Sequence, residues 1–362
     1  MGHATPHREP QRDVSRRVAE YLGSAERAPL FLEGDAAAVL AEIPDASVDV
    51  VMTSPPYWGH REYAARGIGL ESDRDSYLAN LLSVCAELHR VLRPTGSLWL
   101  NLGDTYRSKG LQLIPWRLAL ALVDDQGWVL RNHVVWNKVK GSPDNARDKL
   151  RNLHEPVLHL VKDAARFHYD VDAIRSAPGQ TKVVKGRTVS ATGVSGVRYR
   201  RKIELSTALD EDERAAALEA LDAMLTAVEQ GEVSDFRMVV RGSGRVTHSD
   251  SERVSGRAKE LRDRGFYFLR YHPKGAKPSD VWEIMPEDTH NRDGHFAAYP
   301  QDLCRIPLLA TCPEGGTVLD PFCGTGTTNL VARQLGLRSI GIDLAPEYLV
   351  AAARRCAATH ER

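Results

Sequence analysis

The sequence predicts a layered α/β fold, a parallel sheet with flanking helices, broken once by an inserted module. Three observations carry that reading. Short apolar runs stopped by glycine or proline alternate with helically spaced stretches over residues 30–161. The same alternation resumes at residues 300–357. Between them, residues 170–275 switch to basic stretches with Gly and Ser around one acidic helix. The boundaries drawn are 1–28 for an N-terminal arm, 29–170 and 279–362 for two halves of the sheet domain, and 171–278 for the insert. The sheet's first strands thus come from the C-terminal part of the chain and its middle strands from the N-terminal part.

Each element has a local reason. Residues 1–28 are polar and read as a poorly ordered arm or a short helix. Leu30-Phe31-Leu32-Glu33 is short, apolar and stopped by Gly34, so it reads as a strand. A short helix over 35–43 leads to the Pro44-Asp45 turn, and 48–53 forms a second strand ending in Ser-Pro-Pro. Over 75–92 the apolar positions Tyr77, Leu78, Leu81, Leu82, Val84, Cys85, Leu88, Val91 and Leu92 have helical spacing, closed by Pro94. Residues 97–102 read as a buried strand, and 115–125 as a helix with Pro115 in its first turn. Further strands are expected at 133–136, 157–161, 317–320 and 338–343, with helices at 208–230, 327–336 and 346–357. There is no internal repeat.

Composition excludes several classes. Acidic and basic residues balance at 48 each, so any nucleic-acid binding must rest on local charge. The basic residues concentrate in the insert, where Tyr199, Tyr267 and Tyr271 accompany them; such a surface suits phosphate contacts, with a few side chains reaching base edges. Five scattered cysteines without a CxxC pair indicate neither a disulfide frame nor a zinc cluster, and a reducing cytoplasm is the natural setting. Residues 1–17 lack the apolar stretch of a signal peptide, and no run of 18 apolar residues could span a membrane.

Two loops carry the chemistry. Thr53-Ser54-Pro55-Pro56-Tyr57-Trp58 follows a strand, where α/β folds bind ligands. It suits a base's exocyclic amine, a poor nucleophile because its lone pair is delocalised. Acceptors aimed at the N–H groups favour the tetrahedral nitrogen and stabilise its developing charge. The Ser54 hydroxyl and the Pro55 carbonyl are the candidate acceptors. Consecutive prolines stiffen the loop and remove competing N–H groups. Tyr57 offers a flat face for a base, and Trp58 a pocket wall. The second loop, Asp320-Pro321-Phe322-Cys323-Gly324-Thr325-Gly326-Thr327-Thr328, is a strand–glycine–helix turn that lets backbone approach a nucleoside. Asn329 stands where a dinucleotide fingerprint wants a third glycine, which weakens a pyrophosphate fit. Asp320 suits a cationic ligand, and S-adenosylmethionine carries both an ammonium and a sulfonium. Asp343, ending the next strand, is placed to accept ribose hydroxyls. A plain strand–helix turn without a ligand would share the loop's pattern.

On these residues the chain resembles the bacterial DNA amino-methyltransferases, in the permuted group where the catalytic loop precedes the cofactor loop. The resemblance covers 30–165 and 280–357. It implies a Rossmann-like S-adenosylmethionine-dependent sheet with an inserted target-recognition module. In that group Ser-Pro-Pro-Tyr goes mostly with N4-cytosine products and Asp-Pro-Pro-Tyr with N6-adenine products. The resemblance makes Ser54, Pro55, Pro56 and Tyr57 the catalytic loop. It assigns the cofactor to Asp35, His295, Phe296, Pro300, Asp320, Phe322, Gly324, Thr325, Gly326, Thr327 and Asp343, with no metal. Trp136-Asn137-Lys138 and His154-Glu155-Pro156 resemble late-strand motifs, with Pro156 in place of the usual aromatic. The expected partner is double-stranded DNA, with the target base flipped out of the helix. A cognate restriction endonuclease and the choice between monomer and homodimer stay open. No Pro-Cys dipeptide supplies the nucleophile that C5-cytosine chemistry needs, and His154 and His159 lack zincin spacing. Adenine N6, RNA or a small molecule as substrate, and a non-catalytic DNA-binding scaffold, are the alternatives.

Overall fold

The computed structural model describes residues 8–59, 67–141, 145–177, 182–184, 187–189, 196–242, 256–287 and 299–358. In chain order the elements are α1 (Arg8–Gly23), β1 (Leu30–Glu33), α2 (Ala36–Leu40), β2 (Val48–Thr53), α3 (Arg74–Val91), β3 (Leu92–Asn101), β4 (Tyr106–Arg107), β5 (Gly110–Leu111), α4 (Ile114–Gln126), β6 (Val129–Asn137) and β7 (His154–Val161). There follow β8 (Lys182–Val184), β9 (Arg187–Val189), α5 (Gly196–Glu204), α6 (Glu211–Glu229), β10 (Asp235–Val240), α7 (Gly256–Arg264), β11 (Phe266–Tyr271) and β12 (Val281–Glu283). The chain closes with α8 (Gln301–Thr311), β13 (Thr317–Asp320), α9 (Thr327–Gln334), β14 (Arg338–Asp343) and α10 (Pro346–Ala357). Contacts divide it into two units, Met1–Ala173 with Ser279–Arg362, and Ile174–Pro278.

The first unit is built on an eight-stranded sheet of order β1-β14-β13-β2-β3-β7-β6-β12. Strands from the two distant chain segments interleave: β13 pairs in parallel with β2, Val318 opposite Val50 and Leu319 opposite Val51. Side chains alternate between the two faces, as a pleated strand requires. Val51, Leu98, Leu100 and Leu319 join a core with α1 to α4 on one face. Val50, Met52, Trp99 and Val318 join a second core, with α8 and α9, on the other. The result is a helix–sheet–helix sandwich. All six residues of β2 are buried, which marks it as a central strand.

Two features depart from the sequence reading, and a third, at the N-terminal arm, selects the helix from the two readings offered. The sheet is not wholly parallel, because β7 runs against both β3 and β6. No helix is described between β6 and β7, and a strand that returns beside its predecessor without a crossover must pair antiparallel. The three-residue β12, beside β6, is too short to leave a periodic signal. The N-terminal arm forms a 16-residue helix at residues 8–23. Val18 and Tyr21 bury there, and the Tyr21 hydroxyl accepts from the Ser339 N–H at 2.9 Å.

The second unit has its own core, in which Tyr199, Ile203, Leu221, Met224, Phe236 and Phe266 pack together. Its β10 and β11 form an antiparallel ladder, and β8 and β9 a hairpin. The acidic helix α6 opens with a capping box between Asp210 and Glu213. Its acids pair with basic residues of the same unit, Asp222 with Arg200 and Glu213 with Arg241. Among the described residues no helix is long and apolar enough to cross a membrane.

Burial ranks the effect of truncations. Leu98 is fully buried at the sheet's centre, whereas Leu120 on α4 is 63% exposed. Leu98→Ala should cost about 2–5 kcal/mol in urea denaturation. Leu120→Ala should stay within about 0.5 kcal/mol.

Candidate active site

The carboxyl ends of the parallel strands share one edge of the sheet, so the loops after β1, β2, β3, β13 and β14 gather there. That edge brings the Ser54-Pro55-Pro56-Tyr57 loop beside the glycine loop 321–326, although they lie over 260 residues apart in sequence. The contact is direct. The Thr53 hydroxyl, at the end of β2, donates to Asp320 Oδ1 at the end of β13 at 2.6 Å.

Asp320 is not the open carboxylate that a cation would require. Its side chain is 1% exposed. Oδ1 accepts from Thr53 and from the Phe322 N–H at 3.1 Å. Oδ2 accepts from the Tyr299 hydroxyl at 2.9 Å and lies 2.8 Å from Thr328 Oγ1. Thr328 Oγ1 also lies 3.2 Å from the Met52 carbonyl in β2. A buried carboxylate needs such donors, and they engage both of its oxygens. Burial pushes its pKa up, opposed by the hydrogen bonds from Thr53, Thr328, Phe322 and Tyr299. Asp320 therefore fastens the two loops together.

The glycine loop is held from both sides. Gly324 and Gly326 have φ of 51° and 75°, the left-handed region that favours glycine. The Gly324 N–H donates to Asp343 Oδ2 at 2.9 Å, and the Ala345 N–H to Asp343 Oδ1 at 2.9 Å. Asp343 is half-buried, and burial raises its pKa. Each of its oxygens keeps acceptor capacity for a hydroxyl. Thr325 and Thr327 are buried, and both hydroxyls lie within reach of Arg355 from α10, which also donates to the Thr325 carbonyl at 2.8 Å. What these threonines present at the loop is backbone. Phe322 is half-buried. Cys323 is buried, and burial pushes its thiol well above the usual range, so it is no nucleophile. Asp35, exposed after β1, caps α2 by accepting from the Ala38 N–H at 3.1 Å. Pro300 precedes α8 as its N-cap. His295 and Phe296 lie outside the described residues. This edge fits a nucleoside cofactor: two left-handed glycines, a half-buried carboxylate able to accept hydroxyl bonds, and an exposed acid beside them.

The proline loop is pinned as firmly. The Pro56 carbonyl accepts from the buried Tyr77 hydroxyl of α3 at 2.8 Å. No hydrogen-bond partner engages the Pro55 carbonyl among the described residues. Trp58 is buried rather than walling a pocket. Its ring stacks on Tyr77, and its indole N–H donates to the Glu71 carbonyl at 2.9 Å. The Tyr57 ring lies so close to Gly103 that any Cβ there would stand 2.4 Å from it. The Tyr57 hydroxyl lies 2.8 Å from Glu155 Oε2 and 3.2 Å from Asn101 Oδ1, and the Ser54 hydroxyl donates to Tyr57 at 3.4 Å. Lys138 pairs with the other oxygen of Glu155. Burial, and then the Glu155 charge, push the Tyr57 phenol well above its usual range, so it stays protonated.

Sequence reasoning assigned no role to Tyr77, Asn101 or Gly103, and included Thr53 and Tyr299 only as members of the proline-loop motif and of the 294–300 segment. Tyr77 was legible only as a core position of α3. Asn101 and Gly103 had one available signal, a polar residue and a glycine ending an apolar strand. Among the described residues no cluster of His, Cys, Asp and Glu could hold a metal ion.

Comparison with known proteins agrees with this architecture. A DNA methylase family profile matches residues 48–354. The type II methyltransferase M.SfiI of Streptomyces fimbriatus is 32% identical, over 93% of this chain and 92% of its own. The DNA adenine methyltransferase YhdJ of Escherichia coli is 24% identical, over 91% and 82%. Among solved structures, the PvuII DNA methyltransferase, titled cytosine-N4-specific, aligns with a TM-score of 0.54 at 15% identity. That alignment covers 91% of this chain and 88% of that one, and is a likeness of fold.

The raised pKa of Asp320 has a testable sign. The folded state holds its proton more tightly than the unfolded chain, so this contribution to stability is complete below the unfolded pKa. It is lost as pH rises through the folded pKa. Asp320→Asn removes that dependence. Its stability deficit against the wild type should narrow from about pH 4 to about pH 8 in urea denaturation. A widening deficit would mean that the hydrogen bonds outweigh burial.

Proposed function

The chain belongs to the N6/N4 DNA methylase family and methylates an exocyclic amine of DNA with S-adenosylmethionine; on that premise we propose that the amine is N4 of cytosine within a short duplex sequence. One observation carries the reading: a serine, not an aspartate, heads a loop whose Pro55 carbonyl is unengaged among the described residues. Aspartate in that place goes with adenine in the group this chain resembles. Ser54 Oγ and the Pro55 carbonyl serve as the two acceptors for the amine's N–H groups. As the nitrogen becomes tetrahedral and gains charge, those bonds strengthen, which lowers the barrier. Pro56 and Tyr77 keep the loop from adapting, so the acceptors are in place before the base arrives.

Asp35, Phe322, Gly324, Gly326 and Asp343 would hold the cofactor from the sheet edge, with the backbone of Thr325 and Thr327; His295, Phe296 and Pro300 would complete the methionine end. When bound, S-adenosylmethionine supplies an electrophilic methyl group. Asp320 acts through the loops it joins. The target base must leave the stack at a cost of a few kcal/mol, offset by contact with Tyr57 and by phosphate binding. Phosphate binding is assigned to the second unit, where Arg198 and Arg237 are exposed. Burial lowers the Lys202 pKa there, and repulsion from Arg237 and Arg198 lowers it further, which marks a locally cationic surface. A cytoplasmic setting, and service beside a restriction endonuclease, are part of the same proposal.

Ser54→Ala should retain S-adenosylmethionine binding and lose about 100- to 1000-fold in methyl transfer, the scale of one lost transition-state hydrogen bond. Full activity would remove Ser54 from the site. Mass spectrometry of nucleosides from treated DNA should yield N4-methylcytosine. N6-methyladenine alone would overturn the cytosine assignment.

A further inference from the structure

We propose that Glu155 is a positioning residue whose ionised carboxylate sets the direction of a hydrogen-bond chain, leaving Ser54 as an acceptor toward the target amine. The inference rests on the function proposed above, in which Ser54 receives an N–H of the base.

The argument is one of proton counting. A carboxylate only accepts hydrogen bonds, and Lys138 pairs with its other oxygen. The Tyr57 hydroxyl has one proton and a charged acceptor 2.8 Å away in Glu155, nearer than Asn101 Oδ1 at 3.2 Å. Asn101 reinforces the direction. Its Nδ2 donates to the Pro156 carbonyl at 3.2 Å and to Glu155 at 3.3 Å, so its Oδ1, an acceptor, is what it turns toward Tyr57. With its proton committed to that side, Tyr57 presents a lone pair to Ser54. The Ser54 proton then goes to Tyr57 across 3.4 Å, and the serine's remaining lone pairs face outward. A hydroxyl free to rotate would spend part of its time pointing a proton at the amine, a repulsive arrangement. Glu155 removes that state without touching the substrate.

The charged and titratable groups shown facing Glu155 are Lys138 at the end of β6 and Tyr57 from the proline loop. Glu155→Gln keeps the shape but must offer its oxygen to Lys138, which turns an N–H toward Tyr57. The test measures methyl transfer on duplex DNA, in single turnover and at steady state, together with calorimetric binding of S-adenosylmethionine, for Glu155→Gln and Glu155→Asp. Glu155→Gln should bind the cofactor as the wild type does and slow transfer at least about tenfold at unchanged KM for DNA. Glu155→Asp, which keeps the charge, should retain most of the transfer rate. Two results would overturn the proposal: wild-type transfer by Glu155→Gln, or loss of cofactor binding along with transfer. Failure of the wild type to methylate DNA would remove the proposed function and this inference together. An active wild type with an unaffected Gln variant would remove the inference alone.

Discussion

The site depends on a single buried carboxylate. Asp320 closes β13, and its two oxygens gather Thr53 from β2, Tyr299 from the segment before α8, Thr328 from α9 and the backbone of its own loop. Parallel pairing alone would hold the two strands at sheet spacing, but it would not hold the loops beyond them. The hydrogen bonds at Asp320 extend the register past the last ladder pair. That is why a segment near residue 54 and one near residue 324 keep a fixed relation across so long a sequence separation. The cost is a charge taken out of water, and the structure accepts it where two functional loops must be joined.

A second network does similar work at shorter range. Tyr77 occupies one carbonyl of the proline loop and, among the described residues, no partner engages the other, so the loop's hydrogen-bonding capacity is partly spent and partly reserved. Tyr57 sits against Gly103, where no side chain intervenes, and this close approach lets its hydroxyl reach Asn101 and Glu155. Rigidity on one side and unsatisfied acceptors on the other are the marks of a preorganised site. Each comes from a residue with no chemistry of its own.

Much of this was legible in the chain. Short apolar runs located β1, β2, β13 and β14; all but the edge strand β1 lie inside the sheet, where burial on both faces leaves a near-continuous apolar signal. The two loops stood out because Ser-Pro-Pro-Tyr and Gly-x-Gly are rare strings with a mechanical reason for each residue. Hidden were facts that depend on direction and depth. Asp320 read as an open anion because its partners, Thr53 and Tyr299, lie far from it in sequence. Trp58 read as a pocket wall, since nothing local reveals that Tyr77 covers it. The inverted β7 left no periodic trace, because strand direction is set by the connection and not by the strand's own residues.

That inverted strand has a consequence for how the site tolerates change. A parallel β7 would bring its carboxyl end, near Val161, to the functional edge; the observed one delivers its first residues, with Glu155 opposite Trp136. Neighbours in a strand point to opposite faces, so a slip of one residue against β6 would turn Glu155 away and present His154 or Pro156 instead. The register of β7 against β6 therefore decides which side chain arrives beside Tyr57.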